Sequence, residues 1–197
     1  MGEAALKRAI ETANGRPEAA AGVPLLGALG AAWGLGAVVL LLVQAIARLA
    51  PLAVEGLTAH PLAGWQWTLA GAWTAGMAWS EGYRGFQRAF SPRVVARALY
   101  LARNPRPVHV LLAPFFCMGL VHARRRRLVA SWVLLATMSA LVVLVRMVPQ
   151  PWRGIIDAGV VVGLLWGLLA IVGFLAAALA GRWAGVPLEL PGEAVEE

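Results

Sequence analysis

This chain is short of charge. Only 14% of its 197 residues are Asp, Glu, Lys or Arg, against about 25% in a soluble globular domain. The charges are also clustered, in Lys7–Arg8, in the stretch 84–106, in the run Arg124–Arg127 and in the acidic end 189–197. So few and so grouped, they cannot cover the surface of a water-soluble fold of this length. Cysteine is nearly absent too: Cys117 is single, which excludes an intramolecular disulfide and a metal site made of thiolates. No nucleophile elbow, glycine-rich phosphate loop, HExxH or CxxC pattern occurs, so no catalytic residue and no metal ligand set is assigned.

What the chain has instead is apolar length. Hydrophobic residues make up 60% and the mean hydropathy is +0.71, above the roughly 45–50% apolar content of ordinary domains. Residues 19–47 form an uncharged run of 29, longer than the roughly 20 needed to cross a hydrocarbon core. A cleaved signal peptide is the competing reading of this run, but its apolar core exceeds the usual length of about 7–15 residues. Further uncharged intervals lie at 56–80, 107–123, 128–145 and 158–181. The expectation is an all-α, polytopic helical membrane protein with about four transmembrane helices, at 23–47, 57–80, 128–145 and 158–181. A short amphipathic segment at 1–18 precedes them, and an acidic, disordered tail at 183–197 follows.

Two pieces of the basic region 81–127 are read separately. Ser91-Pro92 has the form of a helix start, with serine as cap and proline at the first position. Beyond it Arg93, Arg97, Tyr100 and Asn104 share one face while Val95, Ala98, Leu99 and Ala102 share another, so a basic amphipathic helix lying among the headgroups is expected. The apolar segment 107–123 is about 25 Å long as a helix, short of the roughly 30 Å core, and Pro114 removes a backbone donor near its middle. It is either a re-entrant piece or a fifth span. With four spans, 14 of the 17 Lys and Arg residues fall on one face; five spans weaken that bias. The positive-inside tendency therefore favours four spans and a cytoplasmic location for both ends. Arginine supplies 16 of the 17 basic residues, a composition associated with GC-rich bacteria, and the expected address is the bacterial cytoplasmic (inner) membrane.

A net charge of +7 and a pI near 11.2 suggest nucleic acid in a soluble protein, but here the basic residues flank membrane-length runs and nucleic acid is set aside. The candidate site is the basic surface of Arg93, Arg97, Arg103, Arg106, Arg124, Arg125, Arg126 and Arg127, suited to anionic lipid headgroups or an acidic partner protein. Gly159, Gly163 and Gly167 recur one turn apart, as do Gly30 and Gly34, forming grooves for close helix packing within the chain or across a homodimer. His60, His109 and His122 are weighed as haem or metal ligands and read as interfacial, so no cofactor is expected. Spans without deep charged residues argue against a proton-coupled carrier. The functional expectation is a structural or accessory subunit, not an enzyme. The alternatives are a small transporter or channel for an uncharged or poorly charged solute, marked by a polar cavity near Gln44, Gln66 and Thr74, and a membrane-embedded enzyme or haem protein.

Overall fold

The computed structural model describes residues 24–121, 125–183 and 185–186, and leaves the side chains of Arg126, Arg127 and Leu134 undescribed. The amphipathic segment at 1–18, His122, Arg124 and nearly all of the acidic tail lie outside the described residues. Those described are all-helical, with no strand among them. Helix α1 spans Leu25–Thr58, α2 Gly64–Met77, α3 Ser91–Arg103, α4 Pro107–Leu111, α5 Ala113–Cys117, α6 Arg125–Val145 and α7 Trp152–Leu179. Between α2 and α3, Ala78–Phe90 winds as a π-helix without a break, so one continuous rod runs from Gly64 to Arg103. Three helices are long and apolar enough to cross a membrane: Leu25–Thr58, Leu128–Val145 and Trp152–Leu179.

Glycine sets how these helices approach one another. A Cβ on Gly56 would lie 2.5 Å from the Gly154 Cα, and one on Gly27 would collide with the Ala102 carbonyl. The α1–α7 and α1–α3 crossings are therefore backbone-to-backbone contacts. Val38 of α1 meets Val94, Val95, Ala98 and Ile171 in the main core cluster, so α1 runs antiparallel to both α3 and α7. The rod and α7 run in parallel: Trp73 donates its indole N–H to the Ile156 carbonyl at 3.2 Å, and further along the Ser91 hydroxyl donates to the Gly167 carbonyl at 3.4 Å. At the Gly56 end, Gln150 ties the bundle, donating to the Leu52 carbonyl at 3.3 Å and accepting from the Gly154 N–H at 2.9 Å.

Several expected boundaries move. The first helix does not stop before Arg48 but continues through Pro51 to Thr58, so its 34 residues span about 51 Å, well beyond a hydrocarbon core. The uncharged stretch 57–80 is not one apolar helix: its first residues end α1, residues 59–63 break the chain, and α2 has only 14 residues before the π winding begins. Ser91 is not a cap either. Its backbone is helical and its N–H donates to the Phe86 carbonyl five residues back; Pro92, which has no N–H, falls where the winding tightens from π to α, a place where a missing donor costs little.

The larger correction concerns α3. Instead of lying at a surface it is the most enclosed helix, with Ser91, Val94, Val95, Ala96, Arg97, Ala98, Leu101 and Ala102 buried. Its periodicity is amphipathic, but alanines at 96, 98 and 102 keep it thin, and α1, α7 and the 107–121 segment close around it. That segment is two five-residue helices, too short to cross anything, joined to a turn at Gly119 whose φ of +74° suits glycine. It runs inward along α1, placing Val110 against Gly30 and Ala113 and Cys117 against Gly34.

Candidate functional site

The expected arginine surface divides in two. Arg103 and Arg106 are exposed at the end of α3 and just beyond it, and Arg125 is exposed at the start of α6. Arg126 and Arg127 occupy the next positions of α6. Arg93 and Arg97 instead turn into the bundle. Arg97 is only 3% exposed, at the level where Cys117 packs against Gly34 and Val38, deep alongside the uncharged part of α1. It donates through Nη1 to the Phe116 carbonyl at 3.1 Å, and its guanidinium carbon lies 5.2 Å from the Phe116 ring centroid. His109 stacks on the same ring at 5.0 Å and Tyr100 at 6.3 Å. A buried guanidinium bound to a main-chain carbonyl holds the tip of an inward-running segment in place, because releasing it would leave a charge and a carbonyl unpaired in low dielectric.

Beside this anchor, Phe90, Arg93, Val94, Arg97, Cys117, Met118 and Gly119 line a cleft of about 10 Å³, room for a single water molecule. The expectation that no charged residue lies deep is therefore overturned by Arg97; Asp157 is buried as well, in the first turns of α7 near the Gly56 end with Arg153 3.6 Å away. Sequence reading missed Arg97 because two-faced periodicity placed α3 at a surface, and Asp157 because it ended the last span at the nearest charge, whereas α7 runs on past it.

The glycine tandem of α7 receives the rod. A Cβ on Gly159 would lie 2.5 Å from the Trp73 indole nitrogen, one on Gly163 3.1 Å from the Glu81 carboxylate, and one on Gly167 2.5 Å from the Phe86 ring. Gly82 on the rod in turn lies against Trp166, whose indole N–H donates to Gln87 at 2.7 Å. Gly30 and Gly34 face the 107–121 segment. All five glycines thus contact other parts of the same chain.

The polar groups considered for transport do not meet. Gln44 is exposed on α1, and Gln66 accepts from the Ala63 N–H at 2.8 Å, capping its own helix. His60 lies past the Gly56 end of α1 while His109 sits at the opposite end beside Val110, so the two cannot share one ion. Among the described residues no group of three His, Cys, Asp or Glu side chains is gathered. Cys117 is free and buried. The π segment is a feature that spacing by 3.6 residues could not reveal: Glu81, Gly82 and Phe86 turn toward α7, and Trp79, Arg84 and Arg88 turn outward. Comparison with family models, with curated proteins and with solved structures finds no match.

Proposed function

We propose that this chain is a four-crossing protein of a bacterial cytoplasmic membrane, with both ends on the cytoplasmic side. It acts there as an accessory subunit that engages anionic headgroups through Arg103, Arg106 and Arg125. The rod is the second crossing in this reading. It is not apolar enough to face lipid alone, but α1 and α7 cover its inner half. The rod and α7 run in the same direction, so one crossing between them, by α6, supports the count, and the 107–121 segment re-enters from the basic side. Arg84, Arg88, Arg93 and Arg97 lie along the rod and leave the loop count; the bias is then ten basic residues against three, in the same direction.

The observation that carries the reading is the exposure of Arg103 and Arg106 at the end of the bundle where the apolar surface of α1 begins with Leu25, with Arg125 exposed at the start of α6. Each basic side chain near an anionic leaflet contributes about 1 kcal/mol, so three together favour acidic over neutral lipid without further geometry. A reporter fused after Arg127 is expected to read cytoplasmic, and a periplasmic signal overturns the topology. Binding of the purified protein to phosphatidylglycerol is expected to exceed binding to phosphatidylcholine, and the triple change Arg103→Gln, Arg106→Gln, Arg125→Gln to narrow that gap.

A second reading, a carrier for a small anion, is favoured by one observation, the buried Arg97 beside a re-entrant backbone. Flux of chloride or phosphate into proteoliposomes tests it, and a leak no larger than that of protein-free vesicles removes it.

A further inference from the structure

The outward face of the π segment joins groups that ordinary helical winding would scatter. With hydrogen bonds closing over five residues instead of four, a turn takes in nearly one residue more, so positions four, five and nine apart return to one side. Trp79, Tyr83, Arg84 and Arg88 are so spaced; on an α-helix Arg88 would point away from Trp79. The contacts agree with this. The Trp79 and Tyr83 rings stack at 4.9 Å with 27° between their planes, and the Arg88 guanidinium carbon lies 5.8 Å from the Tyr83 centroid. Trp79 is 61% exposed, and Arg84 and Arg88 are exposed with it.

The opposite charge has been turned away. Glu81 lies against Gly163 on the inner side, and Gln87 is engaged by Trp166. The outward face therefore carries two guanidiniums and no carboxylate. The segment lies beside Gly163 and Gly167 of α7, where large exposed apolar side chains begin with Leu165 and continue to Leu179. On α1 the matching stretch runs from Leu25 to Val43, with only Val54 beyond it. Toward Gly56 the rod itself carries exposed Trp73, Leu69, Trp67 and Trp65, a tryptophan-rich stretch of interfacial character, so Trp79, Tyr83 and the two arginines stand where the apolar belt of α1 and α7 gives way to it, the depth at which aromatic rings and snorkelling arginines meet phosphate groups.

We propose that Trp79, Tyr83, Arg84 and Arg88 form a binding site for the phosphate of an anionic glycerophospholipid, in the leaflet opposite the one contacted by Arg103 and Arg106. Two guanidiniums on one face suit an oxyanion bidentately, the Trp79–Tyr83 stack gives the glycerol and upper acyl carbons a flat apolar surface, and the belt below takes the tails. A lipid fits this combination better than a free anion, which would leave the aromatic platform unused. The site rests on the membrane-crossing reading, not on the basic cytoplasmic end.

The test uses the full chain in nanodiscs and the quenching of Trp79 by brominated lipid, read as the difference between the parent and Trp79→Phe. Brominated phosphatidylglycerol is expected to quench this component at far lower mole fraction than brominated phosphatidylcholine. The double change Arg84→Gln, Arg88→Gln is expected to weaken the preference roughly thirtyfold, from about 1 kcal/mol per arginine. Arg103→Gln with Arg106→Gln should leave it unchanged. Tyr83→Leu keeps both charges and removes the platform, and is expected to reduce the preference by a smaller factor; it serves where the arginine pair does not fold. An unaltered preference in the arginine double variant overturns the site, as does displacement of the lipid by soluble glycerol phosphate at similar concentration. Failure of the parent to enter nanodiscs at all would strike the membrane reading instead.

Discussion

Helices α3 and α6 exchange the places their compositions suggest. The first carries Arg93, Arg97 and Arg103 in 13 residues and lies at the centre of the bundle; the second is almost purely apolar past Arg127, and none of its Leu128–Val145 window is buried. Its described attachment to the rest is slight, with the Trp132 indole N–H donating to the Leu120 carbonyl at 3.2 Å and Ser131 near Gly119. In water this inversion would be costly. In lipid it follows from the solvent: an apolar helix gains nothing by leaving the acyl chains for other apolar side chains, while a helix bearing guanidiniums must find protein partners for them. Burial here marks the helix that most needs cover, and close glycine contacts make that cover possible.

The enclosure of α3 depends most strongly on Arg97. Replacing Arg97 with Leu removes the donor to Phe116 and the charge over its ring, leaving a buried carbonyl. A loss of about 3 kcal/mol is expected from broken buried polar contacts, read as a fall in the melting temperature of the detergent-solubilised protein, with Cys117, now 1% exposed, becoming quick to react with maleimide. A variant that melts like the parent and keeps Cys117 protected would show that the anchor is dispensable.

Overpacking comes next. Gly27→Ala drives a methyl into the Ala102 carbonyl and Gly56→Ala drives one into the Gly154 backbone, and each is expected to cost roughly 1–3 kcal/mol in thermal unfolding. Gly163→Leu, facing Glu81, belongs to the same class and should also disturb the rod. Full tolerance at all three would mean that these helices do not pack this closely. By contrast, Gly36 has nothing within 4 Å of a Cβ, so Gly36→Ala is expected to stabilise by about 0.5–1 kcal/mol through helix propensity alone. The smallest effects belong to α6: Val143→Leu or Leu144→Val, both at exposed positions, should move the melting temperature by no more than a degree or two, since about 0.5 kcal/mol bounds such surface changes. A large loss there would reveal a packing partner for this helix.

How far the sequence could be read depended on which solvent each residue met. The apolar runs near 25–47, 128–145 and 158–181 were legible because uncharged length is itself the physical requirement for crossing hydrocarbon. Glycine spacing announced that α7 would be approached closely, though not that Trp73, Glu81 and Phe86 would do so. The interfacial placing of α3 failed because two-faced periodicity records only that two faces differ. Arg97 was assigned to a surface on that ground, when its partner was a carbonyl 19 residues away. The aromatic–arginine face of the π segment was illegible for a different reason: it depends on winding, and no residue between Ala78 and Phe90 signals that the turn will widen.

Composition alone therefore decided the class of this protein, since too few charges and too many apolar side chains yield helices, three of them long and apolar enough to cross a membrane. Only the folded arrangement decided which helix is enclosed, how deep the arginines sit and which of them face outward. Those outcomes turn on contacts between residues far apart in the chain and on the local pitch of one helix, and neither is a property of any short stretch read by itself.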